Sequence, residues 1–259
     1  MSVSPAKGAR RFIPNSLATS RPAIQNLCLH RRFAGPALKQ ATSTIPIVAM
    51  TSDPVNFGIA ASIARPGGNI TGVTVDAGLE LWGKRLQLFR ELVPTISKLG
   101  IMAVRTSPEG AAMQGVAEKA GITVVGPSMV DSGSDDEYRN VFATMSQAGV
   151  DALFVDGSPV HITKRQLIGE LAANHRIPAI YPFRSFVDAG GLMAYGIDLV
   201  EIFRQAAHVI DRILKGAKPA DIPFYQPTKF ELVINRTAAK NIGLAVSEQL
   251  LARADEVIE

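Results

Sequence analysis

Asp156-Gly157-Ser158 and His161 place a carboxylate, a hydroxyl and an imidazole close together in the chain. In the right geometry those groups activate a serine for acyl transfer. A catalytic triad is defined by geometry rather than by proximity along the chain, and no Gly-x-Ser-x-Gly elbow is present to present the serine. Beside Gly157, Asp156 also suits an ordinary turn. A second group is Thr51-Ser52-Asp53, two hydroxyls and a carboxylate directly ahead of Pro54. Asp53 can cap a helix whose first position is Pro54, or it can join the two hydroxyls in holding a small polar ligand beside free N–H donors. Tyr181 can stack on an apolar or aromatic group or serve as core, and Tyr195 and Asp198 follow close behind it. Asp198 and Glu201 stand at N-cap and N3 spacing, which favours capping for Asp198.

These residue types suit an amino-acid-like ligand, whose ammonium needs a carboxylate and whose carboxylate needs N–H or hydroxyl donors. Metal and cofactor chemistry have little support. The histidines, at 30, 161, 175 and 208, form no His-Glu-x-x-His pair, and Cys28 is the lone cysteine. Gly67-Gly68 lacks the Gly-x-Gly-x-x-Gly pattern, and the chain has no Walker loop. No cofactor and no metal are therefore expected.

The elements that must position these groups follow from periodicity. Ile45–Met50 is a strand-length apolar run, broken by Thr51 to Pro54. Ile59, Ala60 and Ile63 predict a helix that Arg65-Pro66 ends, and Gly67-Gly68 turns the chain into a strand over Ile70–Val75. Trp82, Leu86, Phe89 and Val93 recur at helical spacing. Thereafter strands near 100–104, 122–125, 152–155 and 177–181 alternate with helices. Ser134 and Glu137 open one of these helices as a capping box, and Gly149 stops it. A short strand over Leu192–Tyr195 precedes the longest helix, with an apolar stripe of Leu199, Ile202, Phe203, Ala206, Val209, Ile210 and Ile213. Phe230–Ile234 is a strand, and Asn235 caps a last short helix. Alternation of this kind predicts an α/β fold with parallel sheets flanked by helices.

The 259 residues suffice for one large core or two modest ones, at 47% hydrophobic and 19% charged. No apolar run reaches the roughly 18 residues a membrane span needs. The net charge of +4 is unevenly spread: residues 1–52 hold seven basic residues and no acidic one, leaving the remainder mildly acidic. The basic stretch lacks interleaved aromatics and any DNA-binding motif, so no nucleic-acid partner is expected. Pro14, Pro22 and the arginines interrupt every apolar run there, and no secretory signal is recognisable.

Several stretches together resemble one known family. Thr44-Ile-Pro-Ile-Val, Ser52-Asp53-Pro54-Val55 and Ala64-Arg65-Pro66-Gly67-Gly68-Asn69-Ile70-Thr71-Gly72 are joined by Gly190–Gly196, Asp211–Pro219 and Gln226–Asn235. From about Pro36 to the C-terminus the chain resembles the bacterial ABC-transporter substrate-binding proteins of the tryptophan/tyrosine-type group. The resemblance implies a two-lobed, type I periplasmic-binding-protein-like fold that binds a small solute in an interlobe cleft without transforming it. It implies permease and ATPase subunits as partners, a periplasmic location, no membrane insertion and a monomer. The strand-end residues expected to line the cleft are Thr51, Ser52, Asp53, Asp156, Ser158, Tyr181 and Tyr195.

The expected organisation is a basic unstructured arm over 1–35 and a first lobe from 36–73 and 190–228. The second lobe is 74–189, and 229–259 is left unassigned between them. Crossings are expected near Thr71–Asp76 and Val187–Gly191. Family members carry a signal peptide and two further strand–helix units ahead of the equivalent of Pro36. The expectation is thus a truncated, non-functional product with an incomplete first lobe, remaining in the cytoplasm without a signal; a natural basic, disordered tail is the alternative reading of the arm. A small hydrolase-like α/β enzyme and a cytoplasmic ligand-sensing domain are the competing readings.

Overall fold

A strand buried along its whole length belongs inside a sheet covered on both faces, and Ile47–Thr51 is such a strand. In the computed structural model, which describes residues 28–31, 35–75, 79–105, 107–128 and 133–259, it is the middle strand of three. The chain runs through β1 (Cys28–Arg31), α1 (Gly35–Ala41), β2 (Ile47–Thr51) and β3 (Ile70–Thr74), and both pairings are parallel. Ile47 and Ala49 pack with Ile59, Ala60 and Ile70, while Val48 and Met50 join Val73 in a different cluster. Gly72 lets β3 lie close on β2: at φ +153°, a Cβ there would come within 1.9 Å of the Ala49 carbonyl oxygen.

Two expectations are corrected in this region. Residues 28–31, assigned to the arm, are strand, paired with Ile47–Met50. Sheet pairing overrides a mixed local sequence there. Residues 1–27 of the arm lie outside the described residues. The helix expected beyond Pro54 is a single turn, held by Phe57 N to Asp53 O (3.1 Å) and Ile59 N to Pro54 O (2.8 Å). Gly58, at φ +65°, takes the chain out of helical geometry, and Ser62 then starts a separate turn by accepting from Arg65 N at 3.0 Å.

The second sheet is built from the remaining strands. Its elements are α2 (Leu79–Leu92), β4 (Lys98–Met102), α3 (Pro108–Lys119), β5 (Thr123–Ser128), α4 (Asp135–Gln147) and β6 (Ala152–Val155). Then come α5 (Pro159–Thr163), α6 (Arg165–Asn174), β7 (Ala179–Tyr181), α7 (Arg184–Val187), β8 (Met193–Ile197) and α8 (Leu199–Leu214). After a 3-10 turn at Pro219–Asp221 the chain ends in β9 (Phe230–Asn235), α9 (Arg236–Asn241), α10 (Glu248–Leu251) and β10 (Glu256–Ile258). The strand order is β10-β9-β8-β7-β6-β4-β5, parallel throughout except for the β8–β9 pair. One face carries Trp82, Leu86, Phe89, Met113 and Phe154; the other carries Tyr138, Phe142, Tyr181 and Phe186. Trp82 is core, edge-on to Phe154 at 5.6 Å, with the guanidinium of buried Arg85 4.6 Å above its ring.

Sheet membership moves the expected crossings. β8 pairs with β7 and β9, so residues 193–197 belong with the larger sheet rather than the first lobe. Residues 230–258, left unassigned, join that sheet through β9 and β10. α8 then packs back on the smaller sheet, its Ile202, Ala206, Val209 and Ile213 in the cluster that holds Val48, Met50 and Val73. The second passage between sheets therefore falls at Asp198, not at Val187–Gly191. The first lies between Val75 and Leu79, where 76–78 fall outside the described residues. A third runs from Tyr225 to Phe230. Tyr225 is tied to β3: its N–H donates to Gly72 O (2.9 Å) and its carbonyl accepts from Thr74 N (2.8 Å).

Candidate functional site

Loops at the carboxyl ends of parallel strands gather helix N-termini and free N–H donors, which is where open α/β sheets hold ligands. At the end of β2, Thr51 is 1% exposed, and its carbonyl accepts from Val75 N at 2.9 Å. Its hydroxyl is buried and has no hydrogen-bond partner among the described residues. A buried hydroxyl left unpaired costs free energy, which a ligand group can recover. Ser52 is half-buried beside it. Asp53 is occupied locally: one carboxylate oxygen accepts from Val55 N (3.1 Å) and Asn56 N (2.9 Å), the other from Asn56 Nδ2 (2.5 Å). That is a cap, serving a turn instead of the expected helix.

At the end of β6 the carboxylate is deeper and better bonded. Asp156 is fully buried and accepts from Ser158 N (2.9 Å), Ser158 Oγ (2.8 Å) and Val104 N (3.3 Å), and it meets His161 Nδ1 at 3.0 Å. Burial alone would raise its carboxyl, but hydrogen bonding to His161 and Ser158 and the charge of His161 outweigh it. The group is held below the ordinary value of 3.8. Glu109, buried in the first turn of α3, answers this bond by accepting from Gly157 N at 2.7 Å. Asp156 thus reaches from the β6 loop to the β4 loop, and Glu109 reaches back. His161 sits edge-on to Tyr138 at 5.8 Å. Burial, reinforced by the charge of Asp156, pushes the Tyr138 phenol up.

This order of bonds is not that of a catalytic triad. Ser158 and His161 both bond to Asp156, whereas a triad places histidine between serine and acid. The serine proton goes to a buried carboxylate that four groups share.

The two tyrosines go elsewhere. Tyr181 is 1% exposed and stacked on Phe186 at 5.0 Å, and its ring edge leaves no room for a side chain at Gly191. It is core, and burial pushes its phenol up. Tyr195 is half-buried in the middle of β8, 6.1 Å from the Phe230 ring, and its carbonyl accepts from Arg85 Nε at 2.7 Å. The structure thus joins Asp156, Ser158 and His161 in one cluster. No hydrogen bond among the described residues links that cluster to Thr51–Asp53.

Sequence reasoning missed Glu109, whose partner is 48 residues away, and a cavity of about 240 Å³ at the second and third passages between the sheets. Asp198, Glu201, Tyr225, Lys229 and Glu231 line that cavity. Asp198 caps α8 through Val200 N (2.8 Å) and Glu201 N (3.3 Å), as its spacing predicts. Burial and the neighbouring charge of Asp198 push the Glu231 carboxyl up. Among the described residues no group of histidine, cysteine and carboxylate side chains could hold a metal ion, and no helix is long and apolar enough to cross a membrane.

Comparison with known proteins bears on this geometry. The tyrosine-binding protein of Clostridioides difficile (strain R20291) is 26% identical over 214 residues, covering 80% of this chain and 60% of the relative. The chain thus spans less than two thirds of that relative's length. A solved ABC domain from Streptococcus pneumonia, in complex with L-Trp, is similar at a TM-score of 0.77 and 25% identity, over 90% of this chain and 78% of the other. A conserved domain protein from Vibrio cholerae superposes at a TM-score of 0.78 and 23% identity, over 89% and 78%. The fold is that of the type I periplasmic binding proteins. Residues 33–258 match the family described as ABC transporter substrate binding protein, a family of binding proteins and not of enzymes, and to that family the chain belongs.

Proposed function

We propose that this chain captures a small amino-acid-like molecule, with an aromatic side group, between the carboxyl ends of its two sheets. It would act as the extracytoplasmic component of an ABC importer, presenting its ligand to permease and ATPase subunits. The observation that carries this reading is the buried, unpartnered hydroxyl of Thr51 at the end of β2, joined to a fold in which three strands of chain connect two sheets. The relatives named for tyrosine and for bound L-Trp support the ligand class. Ligand closes such a protein only through contacts that are better in the closed form. Thr51 and Ser52 supply hydroxyls, while Asp53 and Asp156 hold the loops that carry the donors. The order of bonds around Asp156 speaks against the hydrolase reading.

Titration calorimetry with the aromatic and branched L-amino acids tests this. A saturable heat with at least one of them is expected. Thr51→Val, which keeps shape and loses the hydroxyl, should weaken that binding about tenfold, the worth of one hydrogen bond. Heats of dilution alone for every amino acid, or an affinity indifferent to Thr51→Val, would defeat the reading.

A further inference from the structure

α8 is apolar on two flanks. The inner stripe, Ile202, Ala206, Val209 and Ile213, is buried on the smaller sheet. The sequence assigns Phe203 and Ile210 to that stripe; Phe203 is instead 48% exposed, while half-buried Ile210 packs against the inner cluster and borders the outer flank. With Val200 (66% exposed), Ala207 and Leu214 (56%), they form a second stripe at 200, 203, 207, 210 and 214. Its spacing of three and four residues is that of a coiled-coil seam.

We infer that this stripe is a dimer interface, on which α8 of a second copy of this chain lies antiparallel. The pattern is nearly the same read from either end. Ala207 stands at the centre, Val200 and Leu214 lie seven residues to either side, and Phe203 and Ile210 lie between. An antiparallel copy centred on Ala207 sets Val200 against Leu214 and brings Phe203 and Ile210 within one residue of facing each other. The small central residue lets the helices approach. The flanking charges make the partner specific. Arg204 and Asp211 occupy equivalent positions one heptad apart on the solvent side of the seam, so each Arg204 falls within one residue of the other copy's Asp211, within reach of its long side chain. Arg204 is exposed and Asp211 half-buried, and among the described residues they pair along the helix, Arg204 with Glu201 and Asp211 with Lys215. A two-fold axis satisfies both cross-pairs at once, as an isologous interface requires. This replaces the expectation of a monomer. Because α8 packs on the smaller sheet, the larger sheet stays free to move in such a dimer, and the inference does not depend on the ligand.

Sedimentation velocity on the full chain tests it. A monomer–dimer equilibrium at roughly micromolar concentration is expected, fitting an interface at the small end of the size range. Phe203→Glu should abolish the dimer while leaving the melting temperature unchanged when both chains are dilute enough to be monomeric. Arg204→Asp and Asp211→Arg should each weaken association tenfold or more. The double exchange should restore it, and the two singly exchanged chains, when mixed, should pair with each other. A helix stabilised only by its own Glu201–Arg204 and Asp211–Lys215 pairs would show no such rescue. A monomer at every concentration up to about a hundredfold above that range, as when residues 1–27 cover the stripe, would overturn the inference. So would a dimer indifferent to Phe203→Glu and to the charge exchange.

Discussion

The two strand-end rims are built by different means. The rim after β2 is held by backbone: Gly72 brings β3 close to Ala49, Val75 N bonds to Thr51 O, and Asp53 serves only its own turn. The rim after β6 is held by two buried carboxylates, Asp156 and Glu109, each bonded to main chain of the other's loop. The same residue type therefore does unequal work. Asp53 organises four residues, whereas Asp156 ties together loops whose bonded groups lie 52 positions apart. The bonds that close the first rim onto β3 run between main-chain groups, whereas the second rim is closed by buried carboxylates, of which Asp156 is held below its ordinary value.

The largest test of this contrast is Asp156→Ala, which strands several buried donors at once. A loss of about 3 kcal/mol or more is expected in urea unfolding, with an unchanged m-value. Asp156→Asn should cost less, because it keeps the shape and one acceptor. The sign with pH follows from a carboxyl held below its ordinary value. Its contribution is complete above pH 3.8 and is lost as the pH falls through the lower folded value. The gap between wild type and Asp156→Asn should therefore narrow below pH 3.8. Hydrogen exchange should also show the Val104 and Ser158 amides losing protection on acidification before those of Thr74 and Val75.

Gly72→Ala should act on the other rim at about 2 kcal/mol, since the close atom is backbone and cannot turn aside. That cost should not vary between pH 3 and pH 7, roughly the span over which carboxylates titrate. A pH-dependent cost would erase the distinction between the rims. Asp53→Ala should lose only about 1 kcal/mol, the usual worth of a cap. A larger drop in ligand affinity than in stability would show that Asp53 touches the ligand after all.

The smallest effect is expected at Glu231. Its carboxyl is pushed up, so it binds its proton more tightly folded than unfolded, and ionisation there costs stability above the ordinary value of 4.5. Glu231→Gln should therefore stabilise the chain at pH 7, roughly neutral, by under about 1 kcal/mol after allowance for solvent. Well below pH 4.5, where Glu231 keeps its proton in both the folded and unfolded chain, differential scanning calorimetry should show almost no difference.

What was legible in the sequence was local. The caps at Ser134, Asp198 and Asn235 act within a few residues, and each is found as its spacing predicts. The strand–helix alternation gave the α/β fold, because periodicity reports burial. The helix after Pro54 was misread because Gly58 and Pro66 act against an apolar pattern that suits a helix. The membership of β8 was missed because pairing with β9 joins residues some forty positions apart. Glu109 and Arg85 carry no sequence signal, since their worth lies in partners brought up by the fold. Phe203 falls outside the stripe expected for α8, and Ile210 sits on its border, because a helix with two apolar stripes reads as one broad stripe.

The bonds between Tyr225 and β3 reach further than one strand edge. They fasten the root of the third connection to the root of the first, while Asp198 anchors the second at the start of α8. Two straps sewn together at their base cannot stretch independently, so the first and third connections should turn about one shared axle, as a door on a single pin. A spectroscopic distance taken across either of these two would then report the travel of both.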